Sequence, residues 1–157
     1  STLPLATLGG SLTLAWASAP VRLELDVRRW ASRSRTLDEF AAGARFSLTS
    51  LGARTCWAVF PNPTFFDVSP CIGADLHWVS TTGYGVDPNY SPDARWAAVT
   101  AGGLARLLLA PWLALRTRLE AALPLARPTF VLVGAGPLHQ PPALGVAGAL
   151  GVELLFL

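Results

Sequence analysis

The segment from Val21 to Arg28 alternates strictly between aliphatic and charged side chains. Successive side chains of a β-strand point to opposite faces, so this segment has one apolar face and one ionic face. In a soluble sheet the apolar face lies inward. In a bacterial outer-membrane barrel it faces lipid, and the charges line the interior. The choice between these two orientations decides the class of the protein.

The composition favours the second orientation. The 157 residues, enough for one domain, are 52% hydrophobic and only 14% charged, whereas a soluble domain has about 25% charged residues. A membrane-spanning helix needs about 20 consecutive apolar residues, and the best candidate, Ala101 to Leu115, is interrupted by Arg106 and Pro111. Apolar residues spread over alternating segments predict an all-β fold, a transmembrane antiparallel up-and-down β-barrel in a single domain.

Charge and cysteine content narrow the expected partners and the compartment. The net charge of +2 is small, and no basic patch with interleaved aromatic residues points to nucleic acid. The expected partners are outer-membrane lipid, other envelope proteins or a second copy of the chain. No cofactor or metal is expected. The chain begins at Ser1 without a signal peptide, so an exported protein would be present here as a mature form or a fragment.

Alternation predicts about seven strands, joined by links of two lengths. Short links are expected near Ser18, Pro61 and Pro111 and long ones near Arg33, Thr82 and Gly134, as in barrels with short periplasmic turns and longer extracellular loops. The polar segment from Arg33 to Asp38 is predicted to be a loop. A change of parity near Ser50 indicates a β-bulge or a misplaced strand boundary. The strands are expected near residues 8–16, 21–30, 40–60, 65–80, 95–109, 113–123 and 144–157.

The strand count is odd, whereas bacterial single-chain barrels have an even number of strands, from 8 upward. The order of short and long links makes the first predicted strand run towards the periplasm. A strand of opposite direction is therefore expected before it. We predict a barrel of about eight strands whose first strand is missing from this chain or whose eighth strand comes from elsewhere.

Two cysteines flank the predicted Pro61–Thr64 turn almost symmetrically. Antiparallel pairing about that turn places Cys56 opposite Cys71 on the polar face, which predicts a cross-strand disulfide and an oxidising compartment. The alternative is a pair of unbonded buried thiols. With His77 alone nearby, the two cysteines fall short of a zinc-binding set.

The polar faces carry charges of both signs. An eight-stranded barrel has room inside for side chains but not for an aqueous channel, so these residues are predicted to form a salt-bridge network that fills the lumen. A polar conduit is the functional alternative. The predicted network consists of Arg22, Glu24, Asp26, Arg28, Arg45, Arg54, Asp67, Asp75, His77, Arg106, Arg116, Arg118 and Glu120.

Catalytic signals are weak. Asp75 and His77 share a face, but spacing places no serine or second histidine that would complete a nucleophilic set. His139 lies in a Gly/Pro-rich segment and is predicted to be a solvated or loop-ordering residue. The sequence therefore predicts that the chain is not an enzyme.

The six tryptophans fall near predicted strand ends, which is typical of aromatic girdles at the two membrane interfaces. They are Trp16, Trp30, Trp57, Trp78, Trp96 and Trp112.

Several segments together resemble small, uncharacterised outer-membrane β-barrel proteins of high-GC bacteria such as myxobacteria, in the size class of OmpA and OmpX. The resemblance is diffuse and covers most of the chain. A last strand ending in or near Phe is similar to the signal read by the barrel-assembly machinery, although here Leu157 follows Phe156. In such relatives Leu3 and Pro4 would lie in a loop after a first strand. The segments that carry the resemblance are Cys56 with Cys71, Ile72 to Leu76, Leu138 to Gly145, and Leu150 to Leu157.

These patterns predict a bacterial outer-membrane protein with a structural, adhesive or partner-binding role carried by its extracellular loops. A pore or transport subunit is the first alternative. A soluble lipocalin-like barrel that binds an apolar ligand is the second, and it would need an apolar interior and a charged surface.

Overall fold

The computed structural model describes residues 7–37, 42–59, 65–84, 93–126, 130–132, 136–139 and 143–156. Within these ranges, only the backbone is described at 33–37, 42–46, 81–84, 130–132 and 136–139. The described elements are all strands. They are β1 (Gly9–Ser18), β2 (Val21–Trp30), β3 (Arg33–Leu37), β4 (Ala42–Trp57), β5 (Phe66–Tyr84), β6 (Ala94–Ala110), β7 (Leu113–Pro124), β8 (Phe130–Leu132), β9 (Gly136–His139) and β10 (Gly145–Leu154).

Seven long strands form one curled, antiparallel half-barrel sheet in the order β1-β2-β4-β5-β6-β7-β10. Each long strand pairs with the next long strand along the chain, which is an up-and-down arrangement. Among the described residues, β1 pairs only with β2 and β10 pairs only with β7, so the sheet has two edges. The all-β, up-and-down architecture predicted from the alternation is confirmed.

Two local predictions were wrong. The segment expected to be a loop contains β3, which pairs with β4 from Arg33–Phe46 to Leu37–Ala42. Of the two explanations offered for the change of parity near Ser50, the β-bulge is wrong, because the pairing of β4 with β5 runs without a shift from Gly43 to Cys56. The described irregularity of the main sheet lies instead between Leu108 and Ala110, at the tight β6–β7 connection.

The apparent slip near Ser50 has a different cause, because the inner face itself changes character along β4. Leu48 is only 1% exposed and belongs to the inside, two residues before the equally buried Ser50. The inner residues Leu48, Val79 and Trp96 pack together as an apolar cluster, with Trp30 and Ala94 against it. The inside of the sheet is therefore apolar at its long-loop end, where β2 ends and β6 begins. Buried charged side chains follow towards the short-turn end, where β1 turns into β2 and β6 into β7.

The outer face is apolar along the middle of the long strands. Leu12 on β1 is 80% exposed and Leu150 on β10 is 74% exposed, and apolar residues of the intervening strands are exposed in the same way. Charged side chains such as Glu24 and Asp26 are buried on the opposite face. This is the inverse of a soluble domain, where ionised side chains are rarely buried and large apolar ones usually are. In the described residues there is no helix long and apolar enough to cross a membrane.

Candidate functional site

The centre of the inner face is a cluster of two arginines and three carboxylates. Arg54 donates hydrogen bonds to Asp75 Oδ1 at 2.9 Å and to Glu120 Oε2 at 3.0 Å, and a further one to Asp26. Arg28 pairs with Asp26 at 2.8 Å and also donates to Asp75 and Glu120. The five residues come from β2, β4, β5 and β7, so the cluster joins strands that are not neighbours in the sheet.

A second cluster lies towards the short-turn end. Glu24 accepts hydrogen bonds from Arg22 Nε and Arg116 Nη2, both at 2.8 Å. Arg22 also pairs with Glu153 of β10 at 2.9 Å, and Arg106 lies 3.6 Å from the same carboxylate. These pairs tie β2 to β7 and β10 across the interior.

A separate ion pair, between Asp67 and Arg106, links β5 to β6. Arg106 donates to Asp67 Oδ2 through Nη2 at 2.6 Å and through Nε at 3.1 Å. Asp67 is buried, so the two-pronged contact with a guanidinium supplies the compensation that a buried carboxylate requires.

Glycine makes space for the central cluster. A Cβ atom at Gly52 would lie 2.5 Å from Asp75 Oδ1 and 2.7 Å from Asp26 Oδ1. Gly73 and Gly102, on the inner faces of β5 and β6, are crowded in the same way by neighbouring backbone and by Arg54 and Glu120 respectively. The charges therefore occupy a volume that small residues leave open.

Arg118 differs from the other inner arginines because its described ion pairs are long. Its guanidinium lies 3.5 Å from Glu120, 3.6 Å from Glu24 and 3.7 Å from Asp26. Its Nη1 atom is buried and has no hydrogen-bond partner among the described residues.

His77 lies at the boundary between the charged clusters and the apolar cluster. Its Nδ1 is 2.7 Å from Ser50 Oγ, and its ring stacks on Trp96 with centroids 5.1 Å apart. Asp75 pairs with Arg28 and Arg54, and the buried His77 Nε2 has no partner among the described residues. A hydrolytic triad needs the carboxylate to orient the histidine that activates the serine, and this arrangement differs from it.

The predicted disulfide is confirmed. Cys56 and Cys71 are directly opposite each other in the β4–β5 register, with Cα atoms 4.1 Å apart, and are bonded. Both cysteines pack against Leu104 on the inner face. The disulfide therefore closes the short-turn end of the β4–β5 hairpin from inside.

The edges of the sheet border a cleft. Residues of β1 and β10 together line two cavities of about 420 and 650 Å³. Arg118 lines both cavities, Arg28 and Glu120 line the smaller one, and Arg22 and Glu153 line the larger one. The inner faces of both edge strands consist mainly of Gly, Ala, Ser and Thr, so the cleft opens onto the charged clusters.

Sequence reasoning missed Ser50 as the partner of His77 and Glu153 as the partner of Arg22. The register of β4 with β5 puts Ser50 directly opposite His77, whereas the contact of Arg22 with Glu153 joins two strands that are not paired. Two predicted residues lie outside the described side chains, namely Arg45 in the network and His139. Trp96 belongs to the inner apolar cluster and Trp30 packs against it, which corrects the prediction that all six tryptophans form interfacial girdles.

The arrangement is chemically a set of mutually neutralised ion pairs. Within the described part of the chain, no group of three or more His, Cys, Asp or Glu residues could hold a metal ion. The contacts instead connect strands across the interior. No protein-family model and no curated protein matches the chain.

Proposed function

We propose that this chain is a bacterial outer-membrane β-barrel protein whose lumen is filled by charged side chains. Its extracellular loops carry a structural, adhesive or partner-binding role. The observation that carries the proposal is the reversed distribution of polarity, with ion pairs inside and a continuous apolar surface outside.

Rows of cross-strand neighbours on the outer face support a membrane boundary. Val27, Leu51, Leu76 and Ala97 form one such row across β2, β4, β5 and β6. Two residues nearer the long-loop end, the next outward row is Arg29, Thr49, Trp78 and Arg95. Arginine and tryptophan are the residues favoured at the level of lipid headgroups. At the long-loop end, the inner cluster of Leu48, Val79 and Trp96 lies behind this row. This end therefore has an apolar inside, as a protein surrounded by water does.

The length of the apolar surface also fits a bilayer. On β5 the outward residues run from Phe66 to Trp78. At about 3.3 Å per residue and a tilt of about 40°, these residues span roughly 30 Å along the membrane normal. The apolar band of outer-membrane barrels is about 25 Å tall. Trp16, Trp57 and Trp112 are exposed on the outside near the short-turn end, where a second interfacial girdle is expected.

The filled interior favours a non-conducting barrel over a pore. Arg54, Glu24 and Asp75 are each at most 4% exposed, and their charges are paired with one another or with neighbours. A polar conduit needs charged side chains that are in contact with water. These side chains are buried and fill the interior instead. The lipocalin-like alternative requires an apolar interior, which the charged clusters do not provide.

Extraction and gel migration test the proposal. The protein expressed with an export signal is expected in the outer-membrane fraction, to need detergent for extraction, and to migrate differently in gels before and after heating. Full solubility in detergent-free buffer, with no heat-dependent migration, would refute the membrane assignment.

Planar-bilayer recordings separate the filled barrel from the pore. A flat current trace from inserted protein is expected. Stepwise conductance that Glu120→Gln alters would establish the pore reading instead, because Glu120 bridges Arg28 and Arg54 across the interior.

A further inference from the structure

We infer that the cleft between β1 and β10 binds an additional β-strand of about ten residues, which runs antiparallel to both edge strands. Its source is polypeptide other than the described strands β1 to β10. This inference deepens the proposed function, and one step of it, the exclusion of a second copy, rests on that function.

Strand direction is the first argument. Six successive antiparallel pairings lead from β1 to β10, so these two edge strands run in the same direction. Direct closure would create a parallel pair in an otherwise antiparallel wall. One inserted strand of opposite direction completes two antiparallel ladders and gives the even number of strands found in bacterial single-chain barrels.

Interior contacts across the cleft provide the second argument. The pair between Arg22 and Glu153 joins β2 to β10 and bypasses β1. The described ion pairs therefore hold the sheet in its curled form without a contribution from β1. The ion pairs thus bring β2, β7 and β10 together across the interior, while β1 and β10 remain separated by the cleft.

The lining of the cleft specifies the chemistry of the added strand. Outward residues Leu12 and Leu14 on one side and Leu150 and Val152 on the other are exposed and apolar, so the strand must present apolar side chains outward. On its inward side it must be polar, because Arg118 and Glu153 line the cleft, and their buried atoms Nη1 and Oε2 have no hydrogen-bond partner among the described residues. The inward side chains supply an acceptor for Arg118 and a donor for Glu153.

A second copy of this chain does not fit the cleft. Copies inserted into one membrane share the same orientation, so the β1 and β10 edges of a second copy run in the same direction as those of the first. Every edge-to-edge pairing between copies would therefore be parallel. Only a segment of opposite direction forms antiparallel ladders with both edges.

Photo-crosslinking in the outer membrane of the producing bacterium tests the inference with the full protein. A photoreactive amino acid is placed at Leu12 or at Leu150, with Leu14 and Val152 as a second pair in case the first disturbs folding. The control position is Leu119, which is exposed outward on β7, a strand paired on both edges. The crosslinked products are identified by mass spectrometry.

Capture of the same alternating apolar and polar segment from positions on both edges is the expected result. Crosslinks between β1 and β10, crosslinks to the corresponding strand of a second copy, or lipid adducts alone from both edges would overturn the inference. Lipid adducts at Leu119 report separately on the membrane assignment, so failure of that assignment is distinguishable from failure of the added strand.

A distance measurement provides an independent check. Neighbouring strands lie about 4.8 Å apart, so one intervening strand sets the two edges about 10 Å apart. In the double variant Leu12→Cys and Leu150→Cys, a bifunctional thiol reagent spanning about 10 Å is expected to bridge the cysteines. Direct disulfide formation in high yield would contradict the added strand.

Discussion

Arg22 of β2 lies 2.9 Å from Glu153 of β10, and this contact joins two strands that are not paired in the sheet. Both side chains are largely buried, and Arg22 also donates to Glu24 at 2.8 Å. A charge-assisted contact across the interior therefore draws the last strand towards the second. The curl of the sheet depends on interior side chains as well as on backbone ladders.

A double-mutant cycle measures this contact. Arg22→Gln and Glu153→Gln are each expected to lower the free energy of unfolding in detergent micelles. The coupling energy between the two changes is expected to be about 1–3 kcal/mol, in the range for contacting charged residues. Additive effects within about 0.5 kcal/mol would contradict an interaction between β2 and β10.

Glu120 is expected to be the most sensitive carboxylate of the interior. It pairs with Arg28 and Arg54 and lies 3.5 Å from Arg118. Glu120→Gln removes one of the three carboxylates that Arg28 and Arg54 share, and loss of a partner in a buried network costs about 3–5 kcal/mol. Urea unfolding of refolded protein checks the loss.

Asp93→Asn is the matched control for Glu120→Gln, since Asp93 is an exposed carboxylate at the long-loop end. It is expected to change the free energy of unfolding by less than about 0.5 kcal/mol. Equal effects of the two substitutions would show that the interior pairs do not stabilise the fold.

Gly52 is expected to tolerate no side chain. The added methyl of Gly52→Ala would meet the carboxylates of Asp75 and Asp26, and overpacking of this kind costs about 1–3 kcal/mol. Gly103→Ala is the control, because nothing lies within 4 Å of a Cβ at that position. Similar unfolding midpoints for the two variants would contradict the crowded geometry around Gly52.

Reduction of the disulfide is expected to weaken the fold measurably. Cys56 and Cys71 are 15 positions apart, and a loop of about this length corresponds to roughly 3 kcal/mol in the chain-entropy model. The double variant Cys56→Ser and Cys71→Ser should reproduce the effect of reduction and make the protein insensitive to reductant. A double variant that reductant still destabilises would contradict this assignment.

The sequence predicted the seven long strands and the disulfide because both depend on local pattern. The alternation from Val21 to Arg28 identifies an inner and an outer face without any knowledge of neighbouring strands. The symmetric placement of Cys56 and Cys71 about one turn needs only the assumption of antiparallel pairing. These features are encoded within single hairpins.

Specific partners inside the sheet could not be predicted in the same way. The contact of Arg22 with Glu153 joins residues at opposite ends of the chain and depends on how far the sheet curls. The pairing of Ser50 with His77 depends on the register between β4 and β5. That register depends on the conformation of the connection between the two strands, which the sequence does not reveal. The inner position of Leu48 could not be predicted, because the inner face changes from charged to apolar along β4 and a simple rule of alternation interprets such a change as a bulge.

Spin-label accessibility measures directly whether the outer apolar face lies in lipid. The chain's two cysteines are bonded to each other, so a single introduced cysteine can be labelled selectively. Labels at Leu25→Cys and Leu76→Cys probe the apolar face, and a label at Asp93→Cys probes the exposed end. The protein is reconstituted in lipid vesicles for the measurement.

Labels at residues 25 and 76 are expected to collide readily with oxygen, which concentrates in lipid, and to be shielded from a water-soluble nickel chelate. The label at residue 93 should show the reverse. Equal access of the nickel chelate to all three positions would place the apolar face in water and contradict the membrane assignment.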